Sequence, residues 1–212
     1  MCVRTKALLM YKAPVEGQAK TRLGKSIGGD KAVALYRWLG ARQLSIVPEN
    51  WSREVRYAPE EMKGLVRDWL GDDVSLTSQG EGDLGDRMYR AIDDALGGAG
   101  TEKAIVLGAD CPSIDRALLL EAEAMLDKAD VVIGSSVDGG YYLIGMKAPH
   151  EELFRGITWS ADSVYQVTKN RIQQLGLSVA CLEVREDIDN LDSLRSQRAF
   201  IDPSVWAEAG LE

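Results

Sequence analysis

An uninterrupted apolar run ends on a carboxylate in Lys103-Ala104-Ile105-Val106-Leu107-Gly108-Ala109-Asp110-Cys111-Pro112 (KAIVLGADCP). A short apolar run with β-branched residues at its centre, closed by glycine and proline, reads as a strand buried on both faces. Such strands belong to parallel sheets covered by helices on either side. Asp110 follows the strand directly. In open α/β sheets ligands lie outside the carboxyl ends of the strands. A lone turn aspartate is also an ordinary way to end a strand, with Pro112 stiffening the turn.

The same grammar recurs on both sides. Ala7 to Tyr11 predicts a first buried strand, followed by a polar loop from Lys12 to Gly29. Asp30 is expected to cap an amphipathic helix that Pro48 ends. Arg53 to Ala58 and Val74 to Ser78 read as strands. Between them Pro59 opens a short helix with Met62, Leu65, Val66 and Trp69 on one face. Asp86 to Leu96 reads as a helix, and Asp115 caps another that runs to Lys128. Ala129 to Ser136 and Tyr141 to Met146 are strands around a Asp138-Gly139-Gly140 turn, and either form a hairpin or diverge. Ser160 is expected to cap a helix to Leu175, with Trp159 before it as a staple or as an aromatic wall. Leu177 to Val184 is a last strand and Leu191 to Phe200 a last helix. Alternating strands and helices without repeats or linkers imply one domain over residues 1–212, an α/β fold with a mostly parallel sheet.

Composition limits the function classes. The chain has 212 residues with a formal net charge of -8, which repels a nucleic-acid backbone. No stretch has the length of a membrane span, and the first apolar run is too short for a secretory signal. Cys2, Cys111 and Cys181 lie far apart and form no C-x-x-C pair, which fits a reducing compartment. A cytoplasmic location is expected, with no nucleic acid and no membrane as partner.

A basic segment in an acidic protein then stands out. After the first strand come Lys12, Lys20, Arg22 and Lys25, with Gly17 and Gly24 as flexible points. Phosphate needs cations and close backbone N–H groups, and glycine allows that approach. Neither the Walker A pattern nor G-x-G-x-x-G is present. A solvated basic loop is the bland alternative. Asp110 is placed to hold a hard cation that offsets charge on a leaving diphosphate. Asp138 lies in a glycine turn that explains itself, or accepts hydrogen bonds from a substrate; of Tyr141 and Tyr142, one at most faces the site. Asp187 and Asp189, two apart in an extended segment, point to one side and are candidates to complete a metal site with Asp110, while Asp189 or Asn190 caps the last helix. Gly82 and Asp83, in a glycine-rich loop, are candidates to cover a base or sugar. Cys111 has no histidine partner and reads as packing; His150 reads as a surface residue.

Taken in order, KAPVEGQAKTRL, QGEGDLGDRM, LGADCPSI, DGGYYLIG, TWSADSVYQVT and DIDNLDSL resemble the bacterial transferase 1 family associated with radical-SAM and selenium-related gene clusters, also labelled an arsenosugar-biosynthesis-type glycosyltransferase. The resemblance runs from Ala7 to Leu194. It implies the GT-A, or nucleotide-diphospho-sugar transferase, fold and a more distant kinship to molybdenum-cofactor and 2-phospholactate guanylyltransferases. It implies that Lys12, Gly17, Lys20 and Arg22 hold nucleotide phosphates, that Asp110 holds Mg²⁺ or Mn²⁺, and that Asp187 or Asp189 adds a second ligand. Two positions depart from the pattern: Asp110-Cys111-Pro112 replaces Asp-x-Asp, and Tyr11-Lys12-Ala13-Pro14 replaces a leading Gly-Gly. The expected function is transfer of a sugar from a nucleotide-sugar to a small acceptor, with Asp110 and Asp138 as the catalytic pair. The alternatives are joining an NTP to a small phosphorylated substrate with release of pyrophosphate, and nucleotide binding without chemistry.

Overall fold

The computed structural model describes residues 4–211; Cys2 lies outside them. Seven strands form one sheet: β1 (Thr5–Lys12), β2 (Ser52–Ala58), β3 (Ser75–Ser78), β4 (Lys103–Gly108), β5 (Val131–Ser135), β6 (Tyr141–Met146) and β7 (Val179–Cys181). Their spatial order is β3-β2-β1-β4-β6-β5-β7. β4 is therefore the middle strand, and its first five residues are buried, as an apolar run between two helical layers requires. β1 runs parallel to β2 and β4, while β6 runs antiparallel to β4 and β5. The turn at Asp138 thus makes a hairpin, and it brings the start of β6 to the same edge as the end of β4.

Helices cover both faces: α1 (Thr21–Ile27), α2 (Gly29–Ser45), α3 (Lys63–Leu70), α4 (Leu84–Gly97), α5 (Arg116–Leu126), α6 (Val164–Gln174), α7 (Leu191–Ser196) and α8 (Pro203–Glu208). Strand alternation divides the core. Leu9, Tyr11, Ile105 and Leu107 point to one layer, with Leu118, Leu119 and Val66 from the helices. Leu8, Val106 and Ile144 point to the other, with Met88 and Ile92 of α4 and Ile172 of α6. A third cluster joins Leu23, Leu35 and Leu39 of α1 and α2 to Ile188, Leu194 and Trp206.

Several boundaries differ from the sequence expectations, each through local chemistry. The loop from Lys12 to Gly29 contains α1, because Leu23 finds a buried place in the third cluster. Gly28 rather than Asp30 precedes α2, its φ of 100° being open to glycine and costly to other residues. α4 starts at Leu84 rather than Asp86, because Asp83 caps it and the Asp83 and Asp86 carboxylates accept from each other's backbone N–H in a capping box. Ser160 has φ 67° and does not cap a helix; α6 starts later, after Ser163. The last strand shortens to Val179–Cys181, and Asn190 caps α7 by accepting from Asp192 and Ser193 N–H. α8 follows a proline at its first turn, where the missing N–H costs nothing.

Candidate active site

The carboxyl ends of β1 and β4, the β5–β6 turn and the segment after β7 meet around a cleft of about 520 Å³. Its polar side is built from Lys12, Lys20, Arg22, Asp110, Asp138 and Asp187, with Asp189 at the rim. All seven were candidates in the sequence, on four separate segments, and the sheet topology brings them to one edge.

The decisive contact joins the basic segment to the acidic one. Lys20 Nζ lies 2.8 Å from Asp110 Oδ1 and also donates to the carbonyl of Ile188. The approach to Asp110 is an ion pair without well-aligned hydrogen-bond geometry. The lysine side chain is 5% exposed and the aspartate 46%. Since Oδ1 is covered, the exposure of Asp110 falls on the remainder of its carboxyl group, which faces the cleft. Lys20 reaches this position because its backbone takes the left-handed conformation, φ 52° and ψ 41°, immediately before α1. That conformation is uncommon for a residue with a Cβ and costs of order 1 kcal/mol. The ion pair and the burial of Leu23 one turn later offset it.

Asp187 sits behind this pair. Its Oδ1 is buried without a hydrogen-bond partner, and burial, with the charges of Asp110 and Asp138, pushes its carboxyl up to about 7. The nearby Lys20 pulls the other way. The backbone N–H of Ile188 donates to Asp110 O at 2.9 Å, so the two acidic segments are tied together. Asp189 faces Arg22 instead, at 2.5 Å, both largely exposed. The cap expected of Asp189 or Asn190 is Asn190, and Asp187 and Asp189, the candidate metal ligands, both border the cleft. Among the described residues no three His, Cys, Asp or Glu side chains form a cage for a metal. Asp110 and Asp187 offer a two-carboxylate, all-oxygen donor set in which the Oδ1 of each is buried without a hydrogen-bond partner. That set suits a hard cation completed by water and phosphate oxygens.

Asp138 fixes its turn, as expected: its Oδ1 accepts from Gly140 N–H and from the Ser136 hydroxyl. The side chain nevertheless borders the cleft. Both Tyr141 and Tyr142 border it, and their side chains take opposite faces of the sheet as expected, Tyr142 packing with Leu9 and Leu107 and Tyr141 with Leu8 and Val106. Tyr142 donates to Glu183 O at 2.9 Å, and Tyr141 packs edge-on against Trp159 with ring centroids 6.4 Å apart. Trp159 is thus a wall of the cleft rather than a staple.

A second hollow of about 530 Å³ adjoins the first and shares Lys12 and Gln18 with it. Ala13, Pro59, Ser78, Gly80 and Arg87 line it further out. Gln79, buried between Ser78 and Gly80, donates to the carbonyls of Tyr11 and Arg56, which locks the ends of β1 and β2 together. Gly17, Gly82 and Asp83 stand outside both sets of walls: Gly17 is exposed at φ 74°, and Asp83 is spent on capping α4.

Sequence reasoning missed Tyr36, Gln18 and Arg87. The Tyr36 hydroxyl accepts from Lys12 N–H at 2.9 Å and so fixes the start of the basic segment. Its signal was a tyrosine on the apolar face of α2, which looks like core and largely is. Cys111 is buried beside Ser113, and burial raises its thiol to about 12, as expected of a packing residue. His150 is half-buried and is not among the cleft walls.

Relatives agree with this architecture. A crystal structure from Desulfovibrio desulfuricans G20, provisionally described as a nucleotide-diphospho-sugar transferase, superposes with a TM-score of 0.89 at 31% identity, over 96% of this chain and 93% of that one. A cytidylyltransferase from Leptospira borgpetersenii shares the fold at 13% identity, with a TM-score of 0.58 over 99% of this chain and 92% of that one. Rv0371c from Mycobacterium tuberculosis H37Rv, solved with manganese, also shares it at 13% identity, with a TM-score of 0.52 over 92% and 97%. No curated protein matches the sequence. The fold is thus the α/β fold of nucleotide-diphospho-sugar transferases, and no helix among the described residues is long and apolar enough to cross a membrane. The family described as an uncharacterized protein conserved in bacteria (DUF2064) matches residues 46–161, more than half of the chain, and the chain belongs to that family.

Proposed function

We propose that this protein is a metal-dependent transferase that takes a nucleotide-sugar donor and passes the sugar to a small acceptor. The observation that carries the reading is the meeting of Lys20 with Asp110 at the carboxyl ends of β1 and β4. A cation from the first loop and a carboxylate from the central strand then flank one point in a cleft. Anionic oxygens of a diphosphate are stabilised where fixed cations converge. Lys12 borders both hollows, so a donor that lays its nucleoside in the second hollow carries its diphosphate past Lys12 towards Lys20 and Arg22. Asp110 and Asp187 would hold Mg²⁺ or Mn²⁺, which neutralises charge on the leaving diphosphate. Asp138 accepts the acceptor's hydrogen bond and its proton.

Three further points support the reading. The motif order from Ala7 to Leu194 is the basis for placing the chain with the transferase 1 proteins associated with radical-SAM clusters. A protein of the same fold has been solved with manganese. The Desulfovibrio relative carries a nucleotide-sugar description. We take residues 1–212 as one cytoplasmic domain acting on small molecules. Thermal shift with a panel of nucleoside di- and triphosphates, each with and without Mn²⁺, tests the reading. A diphosphate that stabilises the wild-type protein with Mn²⁺ and fails on an Asp110→Ala variant supports it. Pyrophosphate release from an NTP and a phosphorylated acceptor would select nucleotidyl transfer instead, and metal-independent binding that survives Asp110→Ala would select binding without chemistry.

A further inference from the structure

The cleft has a second, chemically distinct part. Met10, Val106 and Ile144 form a floor on one face of the sheet, and Met88, Tyr141 and Trp159 stand around it. Leu84, 43% exposed, and Val164 complete the rim at the starts of α4 and α6. Among the described residues the cations bordering the cleft are Lys12, Lys20 and Arg22. All three come from the end of β1 and the segment after it. Lys20 is already paired with Asp110 and Arg22 with Asp189. The walls contributed by α4, β4, β6 and residues 159–164 hold no Lys, Arg or His. The charged group they do meet is Asp138, whose Oδ1 is engaged by the turn while no partner takes Oδ2.

Resting on the transferase reading above, we infer that this chamber takes the acceptor, and that the acceptor is a non-anionic alcohol with an apolar body. A phosphate group there would lose its water without gaining a cation, and would face the Asp138 carboxylate. An apolar body instead covers Met88, Trp159 and the floor, and aromatic walls tolerate neutral rings well. The hydroxyl of the acceptor lies at Asp138. Its oxygen forms the bond to the transferred sugar carbon as that carbon's bond to the diphosphate oxygen breaks. The hydroxyl proton goes to the Asp138 carboxylate, and the nucleoside diphosphate leaves.

A matched pair of probes tests this. Benzyl alcohol and benzyl phosphate differ in the phosphate alone. Their binding is read by ligand-detected NMR on the full protein, held saturated with Mn²⁺ and the nucleoside diphosphate that shifts its melting most. The saturating nucleotide keeps benzyl phosphate out of the cationic segment. Benzyl alcohol is expected to bind roughly tenfold tighter than benzyl phosphate, the size of one unfavourable buried charge contact. Leu84→Lys, on an exposed rim position, is expected to narrow or reverse that ratio while the nucleotide shift persists. Equal or tighter binding of benzyl phosphate by the wild-type protein, binding of neither probe, or an unchanged ratio in Leu84→Lys each overturns the inference. If no nucleotide shifts the melting at all, the transferase reading fails first, and the two failures are told apart by that measurement.

Discussion

Lys20 Nζ and Asp110 Oδ1 stand 2.8 Å apart although their residues are ninety positions apart in the chain, and the lysine is almost wholly buried in making the contact. Arg22, two residues on, makes a similar pair with Asp189 in the open, 74% exposed. The two cations were equivalent as loop residues in the sequence; the structure separates them. Lys20→Ala removes a buried partner of Asp110 and of the Ile188 carbonyl, and is expected to cost about 1–3 kcal/mol of stability along with nucleotide binding. Arg22→Ala removes an exposed pair, and is expected to change stability by less than about 0.5 kcal/mol while still weakening nucleotide binding. Urea midpoints and nucleotide thermal shifts on both variants check this. Equal stability losses would mean that Lys20 does not stay in its buried position in solution.

The sheet was legible in the sequence because its central strand announces itself: six residues of β4 read as they stand, and Asp115 caps α5 as its place before an apolar run implies. The carboxyl-end rule then put Lys12, Asp110, Asp138 and Asp187 on one edge. What could not be read was contact between segments. Ser160 looks like a helix cap in isolation, yet its chain turns to present Trp159 to Tyr141 across the cleft. Likewise α1 hides in a polar segment because its helical reason, Leu23 against Ile188 and Leu194, comes from the other end of the chain. Short helices of this kind draw stability from tertiary burial, which local pattern does not contain.

Asp187 gives the metal-free protein a pH dependence of defined sign. An unfolded aspartate ionises near pH 4. In the fold, burial first and then the carboxylates of Asp110 and Asp138 hold the Asp187 proton up to about 7. Between those pH values the native state binds the extra proton, so the stability from this group is complete below about pH 4 and is lost as pH rises through about 7. Asp187→Asn is expected to remove that loss and to raise stability at pH 8 by roughly 1–3 kcal/mol. Urea denaturation at several pH values, in chelator, checks this. A variant that keeps the wild-type slope between pH 5 and about 8 would show that another group titrates there.

The two cysteines among the described residues are expected to part in reactivity. Cys111 is buried, and its thiol is raised to about 12, so it carries almost no thiolate at neutral pH. Cys181 lies exposed on the edge strand β7. Iodoacetamide on the native protein should label Cys181 and leave Cys111 untouched until denaturant is added, as peptide mass spectrometry would show. Rapid native labelling of Cys111 would contradict its role as packing beneath Asp110, and would reopen the question of a nucleophile in the cleft.

Gly85 offers a case where two physical effects predict opposite signs. It lies in the first turn of α4, where replacing glycine by alanine ordinarily favours the helix by about 1 kcal/mol. Here an added Cβ would fall 2.7 Å from Trp159 Cζ2 and 2.5 Å from the carbonyl oxygen of Phe154. The backbone oxygen cannot swing away as a flexible side chain would, so Trp159 or the whole helix start has to shift. Overpacking of this kind costs about 1–3 kcal/mol and outweighs the propensity gain. Gly85→Ala is therefore expected to lower the urea midpoint and to weaken benzyl alcohol binding by displacing a wall of the apolar chamber. The nucleotide thermal shift should persist, because Lys20 and Asp110 stand on other elements. A more stable Gly85→Ala protein with unchanged benzyl alcohol binding would mean that Trp159 does not rest on α4, and the chamber would then lack the wall that the acceptor inference requires.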